Sequence, residues 1–284
     1  MKDIDSKIMP MSCGPQTGTI LLGSIDLNDF KSWRSYYDFR NSVLHESRFF
    51  RSPSEDQFLE AVLESSKDRV QAVPIGTKFW RAQLGSDWEP INADSPNDGD
   101  APCPFQATRM KPQPNMASEG RANPKGLPYL YVATDKETAM AEVRPWIGSS
   151  VSLALLQTNR ELKLLNCTSP RNSVVFFLEE PGPEERERSV WSDIDRAFST
   201  PITATDQTAD YVPTQILAEF FRSKGLDGVA YRSSVGHGHN LAIFDVSAAD
   251  VTTGFLYEVK DIQFIFSASA NPYFVSRFHD PQPD

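Results

Sequence analysis

The sequence predicts an α+β fold, a mixed and mainly antiparallel β core with flanking helices. Three observations lead there. Short aromatic and apolar runs, among them FWRAQ (79–83), LYVA (130–133), VSLALLQ (151–157) and NLAIF (240–244), read as strands. Several strands follow one another through short turns, and helical periodicity appears in separate blocks rather than once per strand. No strand leads into the glycine-rich turn of a doubly wound dinucleotide-binding sheet.

Taken in order, Phe30, Trp33, Tyr36, Tyr37 and Val43 recur at helical spacing, so a helix is expected over 27–44. Phe58, Leu59, Val62 and Leu63 form the apolar face of an amphipathic helix over 55–69, with Ser54 and Gln57 read as its capping box. Phe79 and Trp80 favour a strand, and Arg81 sits where the chain leaves it. Residues 85–118, rich in Pro, Asp, Asn and Gly, read as a long loop whose only cations are Arg109 and Lys111. A strand over 129–133 puts Tyr129 and Tyr131 on one face and Leu130 and Val132 on the other. Thr134 and Glu137 have capping-box spacing, so a helix starts near Asp135, turns Ala139, Met140 and Val143 inward and stops at Pro145. Glu142 lies two turns into it, on the partly buried side.

ELKLLNC (161–167) is a further strand. Val190, Trp191, Ile194, Ala197 and Phe198 mark a helix over 184–199, and Ile216, Leu217, Phe220 and Phe221 one over 213–224, with Gly225 as C-cap. LDGVAYRSS (226–234) forms a strand and its exit turn, and the C-terminal strand is placed at 256–267. The chain divides into a largely helical extension, 1–44, and a main domain, 45–284.

Composition argues against several functions. With 284 residues, 39% of them apolar, the chain can bury a substantial core. The net charge of −10, without a run of Lys and Arg, argues against direct nucleic-acid binding. Three widely spaced cysteines (Cys13, Cys103, Cys167) and no CxxC argue against a disulfide framework or a cysteine zinc site. The start, MKDIDSKIMPMSC, lacks the apolar core of a secretory signal, and no apolar run approaches the ~18 residues of a membrane span. A reduced, cytoplasmic protein without a membrane segment is expected. No Walker loop or HExxH occurs. His237 and His239 form an HxH with no other His or Cys nearby, so a flexible turn is expected there rather than a metal. A triad of Ser233, His237 and an acid would lack the GxSxG elbow.

The chemistry gathers in 119–145. Arg121 follows a glycine, Tyr129 and Tyr131 share a strand, and Glu142 lies on the next helix. A cation, one or two flat rings and a carboxylate about one point suit a ligand with phosphates, a ring, and a bond whose cleavage leaves positive charge on a sugar. Each residue also has a plainer reading. Glu142 can pair with Lys136 or Arg144 or face water. Arg121 can be a solvated loop residue, Arg81 an ion-pair partner at a sheet edge, and the tyrosines core aromatics.

The series FWRAQ, GRANPKGLPYLYVA, TAMAEVRP, GLDGVAYRSS and GHNLAIF, in that order, resembles the RES domain over roughly residues 45–250. That family is named for its arginine, glutamate and serine, and many members are toxins of bacterial toxin–antitoxin pairs. The resemblance implies a fold related to ADP-ribosyltransferases. It implies cleavage of the N-glycosidic bond of NAD⁺, releasing nicotinamide and passing ADP-ribose to phosphate, water or a target protein, with no cofactor beyond NAD⁺ as substrate. It also implies an Xre-type helix-turn-helix antitoxin as partner. Carried over by position, the family arginines are Arg81 and Arg121, the tyrosine is Tyr131, the glutamate Glu142 and the serine Ser233, with Ser234 as the alternative. Glu142, Arg81 and Ser233 are then the expected catalytic residues. Arg121 (phosphates), Tyr131 (nicotinamide ring), Asn240 and Arg109 (closing over the phosphates) are the expected substrate contacts. The long connection between Arg81 and Arg121 and the N-terminal extension depart from the shorter members and leave the acceptor open. A protein ADP-ribosyltransferase and a non-catalytic nucleotide-binding module remain as alternatives.

Overall fold

The computed structural model describes residues 29–91, 99–114, 116–170, 177–200 and 208–266. Two helices come first, α1 (Ser35–His45) and α2 (Pro53–Ser65), then strands β1 (Val70–Val73), β2 (Lys78–Leu84), β3 (Asp87–Pro90), β4 (Asp100–Cys103) and β5 (Leu130–Ala133). Helix α3 (Lys136–Glu142) leads to β6 (Ser150–Thr158) and β7 (Leu162–Asn166). Helices α4 (Pro183–Ser199) and α5 (Val212–Ser223) precede β8 (Gly228–Arg232), β9 (His239–Ile243) and β10 (Ala249–Glu258). Eight strands form one sheet in the order β1-β7-β8-β9-β5-β2-β6-β10, and β3 pairs β4 in a separate hairpin. Within the sheet only β7 and β8 run parallel. The architecture is therefore α+β with a mixed, mainly antiparallel core.

The helices α1, α2, α4 and α5 cover one sheet face. Trp191, Phe198, Leu217 and Phe221 are fully buried there against Leu165, Val229 and Ala242. The rings of Phe39 on α1 and Phe58 on α2 stack at 4.6 Å. Phe30, Tyr36, Phe39 and Val43 belong to the same core, so packing does not break at the expected 44/45 boundary. On the opposite face Phe79, Leu130, Leu156, Leu164 and Ile243 form a second core. The strand alternation expected for 129–133 holds, with Tyr129 in the helical core and Leu130 and Val132 in the second.

Several element boundaries move, each for a physical reason. Helix α2 is capped two residues before the expected cap. Ser52 is the N-cap, its hydroxyl accepting from the Glu55 N–H while the Glu55 carboxylate accepts from the Ser52 N–H at 2.6 Å. Pro53 at the first helical position has the right fixed φ and no N–H to satisfy, which selects this register over Ser54–Gln57. The last turn of the expected 55–69 helix is a tighter 3₁₀ turn, Lys67–Arg69. Helix α1 begins at Ser35 rather than 27, and positions 27 and 28 lie outside the described residues. The expected long loop 85–118 contains the β3–β4 hairpin, and Phe105 and Met110 beyond it plug the second core. The last strand runs 249–258 rather than 256–267, of which 267 lies outside the described residues: its antiparallel partner β6 begins at Ser150 opposite Glu258, and Phe264, Ile265 and Phe266 are exposed.

Truncating Phe58 to Ala removes a ring shared by α1 and α2. The expected cost is about 3–5 kcal/mol, a drop of roughly 10 °C in a single calorimetric transition. An early separate transition, with the main one unmoved, would contradict a shared core.

Candidate functional site

Strands β2 and β5 are in register at one pair only, Trp80 and Ala133. Beyond it β2 continues along β6 as far as Leu84, while β5 follows β9. A cleft of about 640 Å³ opens there, within the ~300–1,000 Å³ common for ligand sites. β2 and β5 supply one part of its wall and the loop at Gly120–Arg121 another, with Tyr211 just before α5 and Tyr231 on β8. Glu142 and Val143, at the end of α3, and Asn240 complete it.

Arg81 reaches across the divergence, its Nη1 donating to the Tyr131 carbonyl at 2.8 Å. Its Nε is fully buried without a hydrogen-bond partner, and among the described residues Arg81 forms no salt bridge. Burial lowers its pKa to about 10, only slightly offset by the nearby Tyr131. A cation short of a counter-charge in a cleft wall favours an anionic ligand.

Arg121 sits on the irregular segment 118–124. Its Nη1 donates to the carbonyls of Phe198 and Thr200, each at 2.6 Å, at the C-terminal end of α4 where positive charge is favoured. Tyr131 lines the cleft, and its hydroxyl donates to Asn123 Oδ1 at 2.7 Å and accepts from the Ala122 N–H at 3.0 Å. Burial raises its pKa, so it stays a phenol. Gly120 is required by crowding, since a Cβ there would lie 2.5 Å from Asn123 Oδ1 and 2.6 Å from the Tyr131 hydroxyl.

Glu142 pairs with neither Lys136, which meets Glu137 at 3.6 Å, nor Arg144. Its Oε1 accepts from Ser233 Oγ at 2.7 Å and from Asn240 Nδ2 at 2.5 Å. Its Oε2 makes no hydrogen bond among the described residues. Ser233 is buried, lies outside the cleft lining, and also accepts from the N–H groups of Val235 and Gly236 at 3.2 and 2.9 Å. Its hydroxyl proton is directed to Glu142, so the expected catalytic serine stands behind the carboxylate. Neighbouring Ser234 is exposed.

Helix α3 is set by Asp135, not by the expected Thr134–Glu137 box. Asp135 Oδ1 accepts from the Thr138 N–H at 2.7 Å and Oδ2 from the Thr138 hydroxyl at 2.9 Å. Thr134 instead turns its hydroxyl to the His239 N–H at 3.0 Å. The helix ends at Glu142, before Pro145, and Arg144 adopts a left-handed φ of 47°. The 233–238 turn is packed onto this helix start. The Gly238 N–H donates to Thr138 Oγ1 at 3.0 Å, and a Cβ on Gly238 would meet Asp135 Oδ2 at 1.8 Å. Gly238, between the two histidines, therefore serves close approach. No group of three or more His, Cys, Asp or Glu able to hold a metal occurs among the described residues.

Arg109 lies outside the cleft lining: it meets Asp87 at 3.5 Å and covers the Phe105 ring at 3.5 Å. The structure thus gathers Arg81, Arg121, Tyr131, Glu142 and Asn240 on one cleft, with Ser233 behind it and Arg109 apart. Tyr211 and Tyr231 line the cleft without having been singled out from the sequence. Their only signals were the Val212-Pro213 helix start after one and the strand pattern around the other, and neither speaks of a ligand. No helix among the described residues is long and apolar enough to cross a membrane. Cys103 and Cys167 are free thiols.

Fold and site together define a mixed-sheet protein whose cleft sets two guanidinium groups and one carboxylate around a common volume. Residues 78–267, more than half of the chain, match the family model of the RES domain, and the chain belongs to that family. No curated protein matches it. Among solved structures it is similar to a chain of the crystal structure of the M. tuberculosis MbcT-MbcA toxin-antitoxin complex. The two are 13% identical, with a TM-score of 0.38, over 69% of this chain and 92% of that one.

Burial raises the Asp135 pKa, but hydrogen bonds from Thr138 and Thr134 and the nearby His237 together bring it below the usual carboxylate value. A lowered folded-state pKa gives stability that is present above the ordinary value of about 3.9 and lost as pH falls through the folded one. Asp135→Ala is expected to cost about 1 kcal/mol at pH 7 in urea unfolding and less at pH 3. A cost that grows on acidification would contradict this.

Proposed function

We propose that this chain cleaves the N-glycosidic bond of NAD⁺, releasing nicotinamide and passing ADP-ribose to phosphate or water. The observation that carries the reading is the convergence of Arg81, Arg121 and Glu142 on one cleft, with Oε1 of the carboxylate held by two donors and Oε2 uncommitted among the described residues. Family membership supports the same chemistry. In this reading the diphosphate lies against Arg81 and the free donors of Arg121, whose planar forks match phosphate oxygens. The nicotinamide ring packs beside Tyr131.

The bond between C1′ of the ribose and the ring nitrogen breaks with its electron pair leaving on nitrogen. The pyridinium departs as neutral nicotinamide, so the step needs no general acid. The sugar passes through an oxocarbenium-like state, and the fixed carboxylate of Glu142 stabilises its positive charge. An oxygen of phosphate or water then bonds to C1′; a water nucleophile also loses its proton. Consumption of NAD⁺ suits a toxin, and an Xre-type antitoxin is the partner the family resemblance implies.

Glu142→Gln removes the charge while leaving a carbonyl oxygen for Ser233 and Asn240 to bond. Nicotinamide release from labelled NAD⁺ is expected to fall about 10²–10³-fold with ADP-ribose affinity retained. Release at the wild-type rate would remove Glu142 from the reaction. Chromatography of the wild-type products with and without phosphate identifies the acceptor, and a label on protein alone would replace hydrolysis or phosphorolysis by modification of a target.

A further inference from the structure

Arg121 is carried by a segment with no helix or strand of its own, yet Ala122 and Asn123 within it are buried. Buried irregular backbone needs hydrogen-bond partners from elsewhere. Two neighbouring side chains at the start of α5 supply them. Thr214 Oγ1 donates to the Arg121 carbonyl at 2.6 Å. The Gln215 amide donates to the carbonyls of Gly120 at 2.9 Å and Asn123 at 3.2 Å, and to Glu119 Oε1 at 3.1 Å. Gln215 is 6% exposed and thus touches the backbone on both sides of Arg121. Asn123 secures the other end, its Nδ2 donating to the carbonyls of Ser118, Pro124 and Leu127 at 3.0, 3.1 and 2.8 Å.

From this geometry we infer that Gln215 is a positioning residue for substrate binding: its amide clamps the backbone around Arg121 and so fixes where that guanidinium meets the diphosphate. The inference rests on the NAD⁺ reading above. Gln215 does not line the cleft, and among the described residues it makes no hydrogen bond to Glu142 or to the two residues that hold Glu142. Its loss therefore acts on binding and leaves the bond-breaking step in place. The amide suits the post because all three neighbouring atoms are acceptors. A carboxylate of the same shape would offer them no proton and would face Glu119.

The test compares the full-length wild type with Gln215→Leu, Gln215→Glu and Arg121→Ala by calorimetric titration of ADP-ribose, with melting temperatures recorded alongside. Gln215→Leu takes the side-chain donor from all three acceptors and leaves the Asn123 carbonyl only the Gly120 N–H, and an affinity loss of about ten- to a hundredfold is expected. KM for NAD⁺ should rise in parallel with kcat within about threefold of wild type. Gln215→Glu should lose affinity similarly at pH 7. It should recover relative to wild type as pH falls toward about 5, because Glu119 and the two carbonyls hold the new carboxyl's pKa up and the protonated form can donate again. General loosening of the fold would give no such acid recovery. Wild-type affinity in both Gln215 variants, with affinity lost in Arg121→Ala, overturns the inference and leaves the NAD⁺ reading standing. Affinity lost in Gln215→Glu without acid recovery also overturns it. No ADP-ribose binding by the wild type overturns both.

Discussion

The site depends on the parting of two neighbouring strands. In a continuous sheet each backbone carbonyl finds a strand N–H, and a gap leaves it orphaned. Here β2 leaves β5 after a single registered pair, and the Arg81 guanidinium supplies the donor that Tyr131 lacks. One side chain thus satisfies that carbonyl and puts a positive charge in the wall of the opening. No carboxylate forms an ion pair with it among the described residues.

The carboxylate opposite is held by a different device. Glu142 is the last residue of a seven-residue helix, where the helix dipole disfavours negative charge. Two neutral donors, Ser233 and Asn240, offset this through one oxygen and leave the other unengaged among the described residues. Both donors come from the β8–β9 hairpin, whose turn is itself docked on the start of the same helix through Thr138 and Gly238. Helix and hairpin fix each other, and the acid is held where they meet. This preorganisation lets a group act on developing charge without first rearranging.

Much of the fold was legible because apolar periodicity is a local signal. The ranges of α4, α5 and β5 differ from those expected by one residue at most, and the face alternation of Tyr129 and Leu130 follows from the strand period alone. The boundaries that moved turned on competition between neighbouring residues or on a distant partner. Ser52 outcompeted Ser54 because of Pro53, Asp135 displaced Thr134, and β10 stops opposite the first residue of β6. Within the site, the residue types Arg, Tyr and Glu were visible in the motifs. Their roles depend on hydrogen bonds between segments some 50 to 98 residues apart, such as Arg81 to Tyr131 and Asn240 to Glu142, which no local pattern encodes. Arg109 was drawn into the site by its place in a long loop, and its ring contact with Phe105 takes it elsewhere.

The most direct test is a crystal structure of the Glu142→Gln protein with NAD⁺ bound. The diphosphate is expected within hydrogen-bond distance of Arg81 and Arg121, the nicotinamide ribose against the substituted side chain, and the nicotinamide ring beside Tyr131. A dinucleotide seated on another face, with the gap between β2 and β5 filled only by solvent, would contradict it.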